Sequence, residues 1–113
     1  MADDLNVDIC VIGAGSGGLV SALIGATVNA KETLVEENEM GGDCLNTGCV
    51  PSKSLIRAAN LMADIGSAGE FGIQVDQAQV HFPNVMARVR SVIAQIEPND
   101  SVSRYESLGV DVR

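Results

Sequence analysis

Apolar positions along the chain change period several times, and each change marks an element. Residues 7–13, VDICVIG, form a short run rich in β-branched side chains and closed by glycine, which predicts a buried strand. Cys10 lies inside that run and is expected to pack as a small hydrophobe. Residues 16–28, SGGLVSALIGATV, predict a helix whose small residues Ala22, Gly25 and Ala26 permit close approach to a sheet. Asn29 follows where a left-handed C-cap is wanted, a conformation that Asn tolerates. Residues 32–36, ETLVE, predict a second strand. A β-α-β order implies parallel strands joined by a right-handed crossover.

Leu55, Ile56, Ala59 and Met62 recur at helical steps and predict a helix beginning near Val50 or Pro51, proline being acceptable in a first turn. Residues 66–80, with Gly66, Gly69 and Gly72, read as a loop with a short extended piece at 71–75. The clearest helical stripe is Phe82, Val85, Met86, Val89, Val92, Ile93 and Ile96. Pro98 ends it, because the residue before proline disfavours helical geometry. A short helix over 100–108 stops at Gly109, and VDVR opens a further strand in which the sequence stops. That ending is expected of a piece of a longer protein.

Composition narrows the function classes. At 113 residues with 46% hydrophobic side chains, the chain can bury a modest core and is not expected to be disordered. A net charge of −8 and 3% aromatic residues exclude a nucleic-acid surface, which needs clustered cations and stacking platforms. No run approaches the roughly 20 apolar residues of a membrane span. The start, MADDLN, is acidic where a secretion signal is basic. A cytoplasmic location follows as the expectation, and its reducing conditions make three cysteines something other than a disulfide framework.

Gly13, Gly15 and Gly18 satisfy G-x-G-x-x-G between a predicted strand and a predicted helix. In that setting the first glycine makes a tight turn and the second admits a pyrophosphate. The third lets helix pack on strand, and the helix N-terminus, with Ser16 and Gly17, faces the phosphates. Glu36, at the end of the second predicted strand, can accept hydrogen bonds from both ribose hydroxyls of an adenosine and repels a 2′-phosphate. Glu37 is the adjacent candidate, and a solvated surface acid is the simpler account of it.

The stretch GGDCLNTGCVPSK, residues 41–53, holds Cys44 and Cys49. A zinc site needs four ligands, and the remaining candidates are Cys10 in a predicted strand and His81. Plant-type iron–sulfur spacing requires a third cysteine where Ser52 stands. Inert buried thiols fit poorly in a Gly/Asn/Thr setting. A redox pair fits the spacing, since the intervening residues can loop the sulfurs together. Cys49 then starts a helix, where the dipole lowers a thiol's pKa. Lys53, one turn further on, places positive charge nearby. A dithiol needs an electron partner, which a flavin at the upstream turn supplies.

VIGAGSGG, LVEE and GGDCLNTGCVPSK together resemble the N-terminal region of the flavin-dependent pyridine nucleotide–disulfide oxidoreductases, a family that includes dihydrolipoamide dehydrogenase, glutathione reductase and mercuric reductase. The likeness runs along essentially the whole chain, and the wording of the cysteine segment, with VMARVRSVI and NDSVSRYESLGV, looks most similar to mercuric-reductase-like members. The resemblance implies FAD at Gly13–Gly18 with Glu36 on its adenosine ribose. It implies Cys44 as the thiol that exchanges with substrate, Cys49 as the charge-transfer thiol beside the flavin ring, and Lys53 near the flavin N5. Gly41 and Gly42 match the turn past the flavin, and Thr47 is a further cofactor neighbour. It also implies NAD(P)H as co-substrate, a disulfide or metal-ion acceptor, and a homodimer.

Two positions depart from the pattern. Asn29 replaces a usual glycine, and Glu32 stands where the strand usually has an apolar residue or threonine, so burial without a partner would be costly there. The fold expected is α/β: a partial Rossmann-like βαβ FAD-binding domain, with a small parallel sheet and flanking helices over residues 1–113. The later FAD-contacting segment, the nicotinamide-binding domain and the dimerisation domain with its His–Glu pair lie outside this chain, and His81 does not fill that role. The alternative reading is a truncated, non-enzymatic dithiol polypeptide that binds a soft metal or exchanges thiols. An NAD-binding module is disfavoured because it leaves the cysteine segment without a role.

Overall fold

Three parallel strands carry the fold in the order β1-β2-β3: β1 (Ile9–Ile12), β2 (Glu32–Val35) and β3 (Asp111–Val112). The structure, a computed structural model, describes residues 4–113; the first three residues of the acidic start lie outside the described residues. Register pairs Ile9 with Glu32, Val11 with Leu34 and Leu34 with Val112. Strand alternation therefore sends Val11, Leu34 and Val112 to one face. That face is covered by α1 (Ser16–Thr27), and the core forms there from Leu19, Ala22, Leu34, Tyr105 and Val110.

Cys10 and Ile12 point to the other face, where no helix among the described residues covers β1. Cys10 is exposed and Ile12 is 85% exposed. The expected buried strand is thus buried on one side only. An apolar run signals burial on both faces of a parallel strand, but β1 is here an edge strand with one covered face.

Small residues set the distance between α1 and the sheet. A Cβ on Gly18 would stand 1.8 Å from the Gly13 carbonyl oxygen, so the helix start can approach β1 only with glycine there. Asn29 takes φ +57°, the left-handed conformation expected of it after the helix. Tyr105, on α5 (Val102–Ser107), donates its hydroxyl to the Leu19 carbonyl at 3.1 Å and ties the chain's last helix to α1.

Between β2 and α5 run α2 (Gly42–Asn46), α3 (Cys49–Ser67) and α4 (Phe82–Ile96). The sequence reading contains no α2, because two glycines at its start hide the periodicity. Helix α3 passes through Gly66 and closes in a 3₁₀ turn at Ala68–Phe71, and residues 71–75 make no strand. Pro98 sits inside a second 3₁₀ turn, Glu97–Asp100, and Ser101 caps α5 by accepting from the Arg104 N–H.

The α3–α4 pair projects from the sheet and gives the molecule dimensions of 69 × 27 × 18 Å. α3 buries no residue, and α4 buries only Val89 of its apolar stripe, with Phe82 61% exposed. Periodicity locates the face on which these helices meet, where Leu55, Ala59 and Met62 lie beside Phe82 and Val85, but among the described helices only the short α2 also packs on the pair. No helix among the described residues is long and apolar enough to cross a membrane.

Glu32 is 3% exposed, and both its carboxyl oxygens are without a hydrogen-bond partner among the described residues. Its side chain fills the space over Gly25, where a Cβ would stand 2.1 Å from Oε2. Burial raises its pKa above the ordinary 4.5. A raised folded-state value means the penalty is absent below the unfolded value and accumulates as pH climbs to the folded one. The Glu32 contribution to stability is therefore expected to fall as pH rises from about 4 through that window, against the opposite slope from Glu36 and Asp111, whose carboxyls are lowered. Glu32→Val is expected to add about 1–3 kcal/mol at neutral pH and to remove this falling contribution from the profile, as read by urea unfolding across pH.

Candidate functional site

The turn after β1 is bound on two sides. Gly13 takes φ +96° and donates its N–H to the Val35 carbonyl at 2.7 Å, while the Ala14 N–H donates to the Glu36 carboxylate. The second Glu36 oxygen accepts from the Asn38 N–H at 3.0 Å. These N–H donors, that of Ala14 first, hold the Glu36 carboxyl below its usual value. At the sequence positions expected to face a pyrophosphate, the structure leaves room: a Cβ at Gly13, Gly15 or Gly17 would meet nothing within 4 Å. The first-turn N–H groups of α1 have no intrahelical acceptors, as at any helix start.

The cysteine segment is laid directly on this turn. The Gly41 N–H donates to the Ala14 carbonyl at 2.9 Å, and a Cβ on Gly42 would come within 2.8 Å of the Gly15 Cα. Both glycines have positive φ, +88° and +56°. Asn46 then donates its amide to the Met40 and Gly42 carbonyls at 3.2 and 2.9 Å, which pins α2 to its own entry turn. Sequence reasoning missed this role; an Asn between Leu45 and Thr47 carries no periodic signal.

Gly48 reverses the chain. Its N–H donates to the Asp43 carbonyl, and a Cβ there would stand 2.8 Å from the same oxygen. The reversal starts α3 at Cys49 and brings its thiol close to that of Cys44. Both are free thiols, Cys44 half-buried and Cys49 exposed. The Ser16 hydroxyl lies near Cys44 as well, and Ser16, Gly41 and Cys44 line one cavity. Cys44 thus faces the start of α1, with Cys49 beside it.

The electrostatics of the pair differ from the sequence expectation. The Cys44 thiol is lowered, first by the hydrogen bond from Cys49, then by that from Ser16, with a smaller contribution from the Lys53 charge. The Cys49 thiol is raised, because it donates to Cys44 and faces the resulting thiolate. Its place at the start of α3 favours a thiolate, but the hydrogen bond inside the pair decides which proton leaves first. Lys53, one turn along α3, favours thiolate at both positions, as expected.

Glu36, Glu37, Gly42 and Thr47 line a second, shallow groove of about 210 Å³ beside the turn. Thr47 lies at the end of α2, and its hydroxyl donates back to the Asp43 carbonyl at 3.4 Å. Glu39 and Asp43 add two further carboxylates to that groove. His81 caps the start of α4, away from these residues. Ser16, Gly41 and Cys44 thus share one cavity and Glu36, Glu37, Gly42 and Thr47 the neighbouring groove, while Lys53 borders a separate groove with Val50, Ser54 and Arg88.

A family described as pyridine nucleotide-disulphide oxidoreductase matches residues 7–107. Dihydrolipoyl dehydrogenase of Chlamydia muridarum is 43% identical over 89 residues, 79% of this chain and 19% of that protein. The dihydrolipoyl dehydrogenase of Haloferax volcanii is 51% identical over 69 residues, 61% of this chain and 14% of that protein. The crystal structure of LpdA from Mycobacterium tuberculosis superposes with a TM-score of 0.75 at 27% identity, over 91% of this chain and 22% of that one. The chain spans about a fifth of the length of the curated relatives it matches.

Two consequences are measurable. Gly18→Ala is expected to cost about 1–3 kcal/mol through overpacking against Gly13, whereas Gly17→Ala, with open space, is expected to be neutral or stabilising by up to about 1 kcal/mol; urea unfolding of both separates them. Ser16→Ala is expected to move the pH midpoint for alkylation of Cys44 upward and Ser16→Thr to restore it, with iodoacetamide labelling read peptide by peptide.

Proposed function

The chain belongs to the pyridine nucleotide-disulphide oxidoreductase family, and we propose that it supplies the N-terminal, FAD-binding portion of a flavin-dependent NAD(P)H–disulfide oxidoreductase. Members of the family are FAD-dependent enzymes that use NAD(P)H. The observation that carries the reading is that the cysteine segment lies on the glycine turn, through the Gly41 N–H on the Ala14 carbonyl, with Ser16 and Cys44 lining one cavity.

The residues present fit FAD. Open space above Gly13, Gly15 and Gly17 admits a diphosphate at the start of α1, and Glu36, already facing the turn, is placed for an adenosine ribose. The acids Glu37, Glu39 and Asp43 in the neighbouring groove make a 2′-phosphate still less welcome. Thr47 borders the same groove as a cofactor neighbour, and Gly41 and Gly42 keep backbone rather than side chain beside the turn. When bound, FAD would supply two-electron transfer from the reduced nicotinamide to the Cys44–Cys49 disulfide, returning it to the dithiol.

The chain's own residues then divide the exchange chemistry. Cys44, the thiol more readily ionised, attacks one sulfur of a disulfide acceptor and releases the other as a thiolate. Cys49 next attacks the Cys44 sulfur, releases the second thiolate and closes the Cys44–Cys49 disulfide. Lys53 favours the anionic forms throughout. The nicotinamide site and the homodimer interface belong, in this proposal, to the remainder of a longer protein.

Cys44 opens on a cavity of about 290 Å³ with mainly apolar walls, among them Leu19, Val20, Leu45 and Ile96. Those walls suit the hydrocarbon part of a small disulfide. The printed names of the relatives agree in class with such an acceptor. A metal-ion acceptor, as in mercuric-reductase-like members, is the other branch; the exposure of Cys49 beside Cys44 favours it, since two accessible thiolates suit a soft ion. The same exposure is what the non-enzymatic dithiol reading rests on.

Titration of the chain with FAD separates the readings. The expected result is quenching of flavin fluorescence that Gly15→Val abolishes, and a long-wavelength absorption band on partial reduction that Cys49→Ser removes. A chain that leaves FAD unperturbed yet takes up one soft metal ion per two thiols sinks the flavoprotein assignment.

A further inference from the structure

Resting on that reading of Cys44, we propose that Asp100 is a specificity-determining residue of the Cys44 cavity, selecting disulfide acceptors that carry an N–H donor, ammonium above all, away from the sulfurs. The cavity walls are apolar at Leu19, Val20, Leu23, Leu45, Val50 and Ile96. Its polar groups have separate tasks. The Ser16 hydroxyl serves Cys44, and the Tyr105 hydroxyl is committed to the Leu19 carbonyl at 3.1 Å.

Asp100, at the end of the second 3₁₀ turn, is the single carboxylate among the lining residues. It is half-buried, and among the described residues no hydrogen bond uses its side chain. A carboxylate accepts only, so a partly desolvated one beside an apolar wall is relieved by an incoming donor and aggravated by an incoming anion. Burial also raises its pKa, the direction expected of an unrelieved carboxylate.

Asp100 borders the cavity from the second 3₁₀ turn and Cys44 borders it from α2, so the two meet an acceptor from different elements of the fold. Asp100 thus acts on recognition rather than on the exchange step, which proceeds by attack of Cys44, release of one thiolate, attack of Cys49 and release of the second.

Single-turnover oxidation of the fully reduced chain tests this at fixed pH and ionic strength, with formation of the Cys44–Cys49 disulfide followed by mass spectrometry. Three probes are used: cystamine, which is dicationic, 3,3′-dithiodipropionate, which is dianionic, and neutral bis(2-hydroxyethyl) disulfide. Asp100→Asn is expected to lower the cystamine rate about 3- to 5-fold, the scale of a partly exposed ion pair, to raise that of the dianion, and to leave the neutral probe within about 2-fold. Asp100→Glu is expected to keep the preference for the cation. Glu70→Gln, which removes the same charge from the exposed turn after α3, reports the effect of net charge alone. Equal shifts in Asp100→Asn and Glu70→Gln overturn the assignment of Asp100. A neutral probe that leaves the pair reduced overturns instead the exchange reading of Cys44, and the specificity proposal with it.

Discussion

Backbone contact between two glycine turns holds the site together. The Gly41 N–H reaches the Ala14 carbonyl, and Gly42 lies against Gly15 with no room for a side chain between them. Everything chemical in the chain hangs on this seam. The first turn is fixed by β1, β2 and Glu36, so the second inherits its position from the sheet. α2 follows from the second turn, and Gly48 returns α3 toward it, which leaves the two sulfurs beside each other and beside Ser16. A side chain at Gly42 or Gly48 would act on the dithiol through backbone displacement, without touching either sulfur.

Close approach recurs wherever α1 meets the sheet, and there the chain shows two opposite solutions. At Gly18 the absence of a side chain lets the helix start contact Gly13 directly, and nothing polar is stranded. At Gly25 the space saved by glycine is filled by the Glu32 side chain, whose oxygens find no donor. The first arrangement shapes the turn on which the site depends. The second weakens the same seam at its far end. α1 carries no ionisable side chain to compensate Glu32, and Leu34 and Thr33 beside it are neutral.

Much of this was legible in the sequence because the motifs are local. The glycine spacing placed the turn, Glu36 placed the end of β2, and Asn29 placed the end of α1, each within a residue or two. Other features depend on which surfaces meet. The exposure of Cys10 and Ile12 follows from β1 being an edge strand covered on one face, a property of topology. α2 escaped notice because Gly41 and Gly42 mimic a loop, and the raised Cys49 thiol because helix position gives one contribution while the hydrogen bond to Cys44 gives a larger one. The Cys44 cavity joins residues 16–23, 41–50 and 96–105, and no window of sequence contains it.

Under the proposed function, the inequality between the two thiols is useful only in one order of events. The thiol that ionises first opens on the apolar cavity, and the thiol that keeps its proton longer is the exposed one at the helix start. An acceptor entering the cavity therefore meets the thiol that is the more readily ionised. Once Cys44 is engaged in a mixed disulfide its negative charge is gone, and the two largest influences that raised Cys49, a hydrogen bond donated to Cys44 and repulsion by its thiolate, disappear together. What remains around Cys49 is the helix start and Lys53, which favour the thiolate, against a smaller effect of burial. The second nucleophile is thus released by the first reaction, and no separate base within the chain is required to order the two attacks.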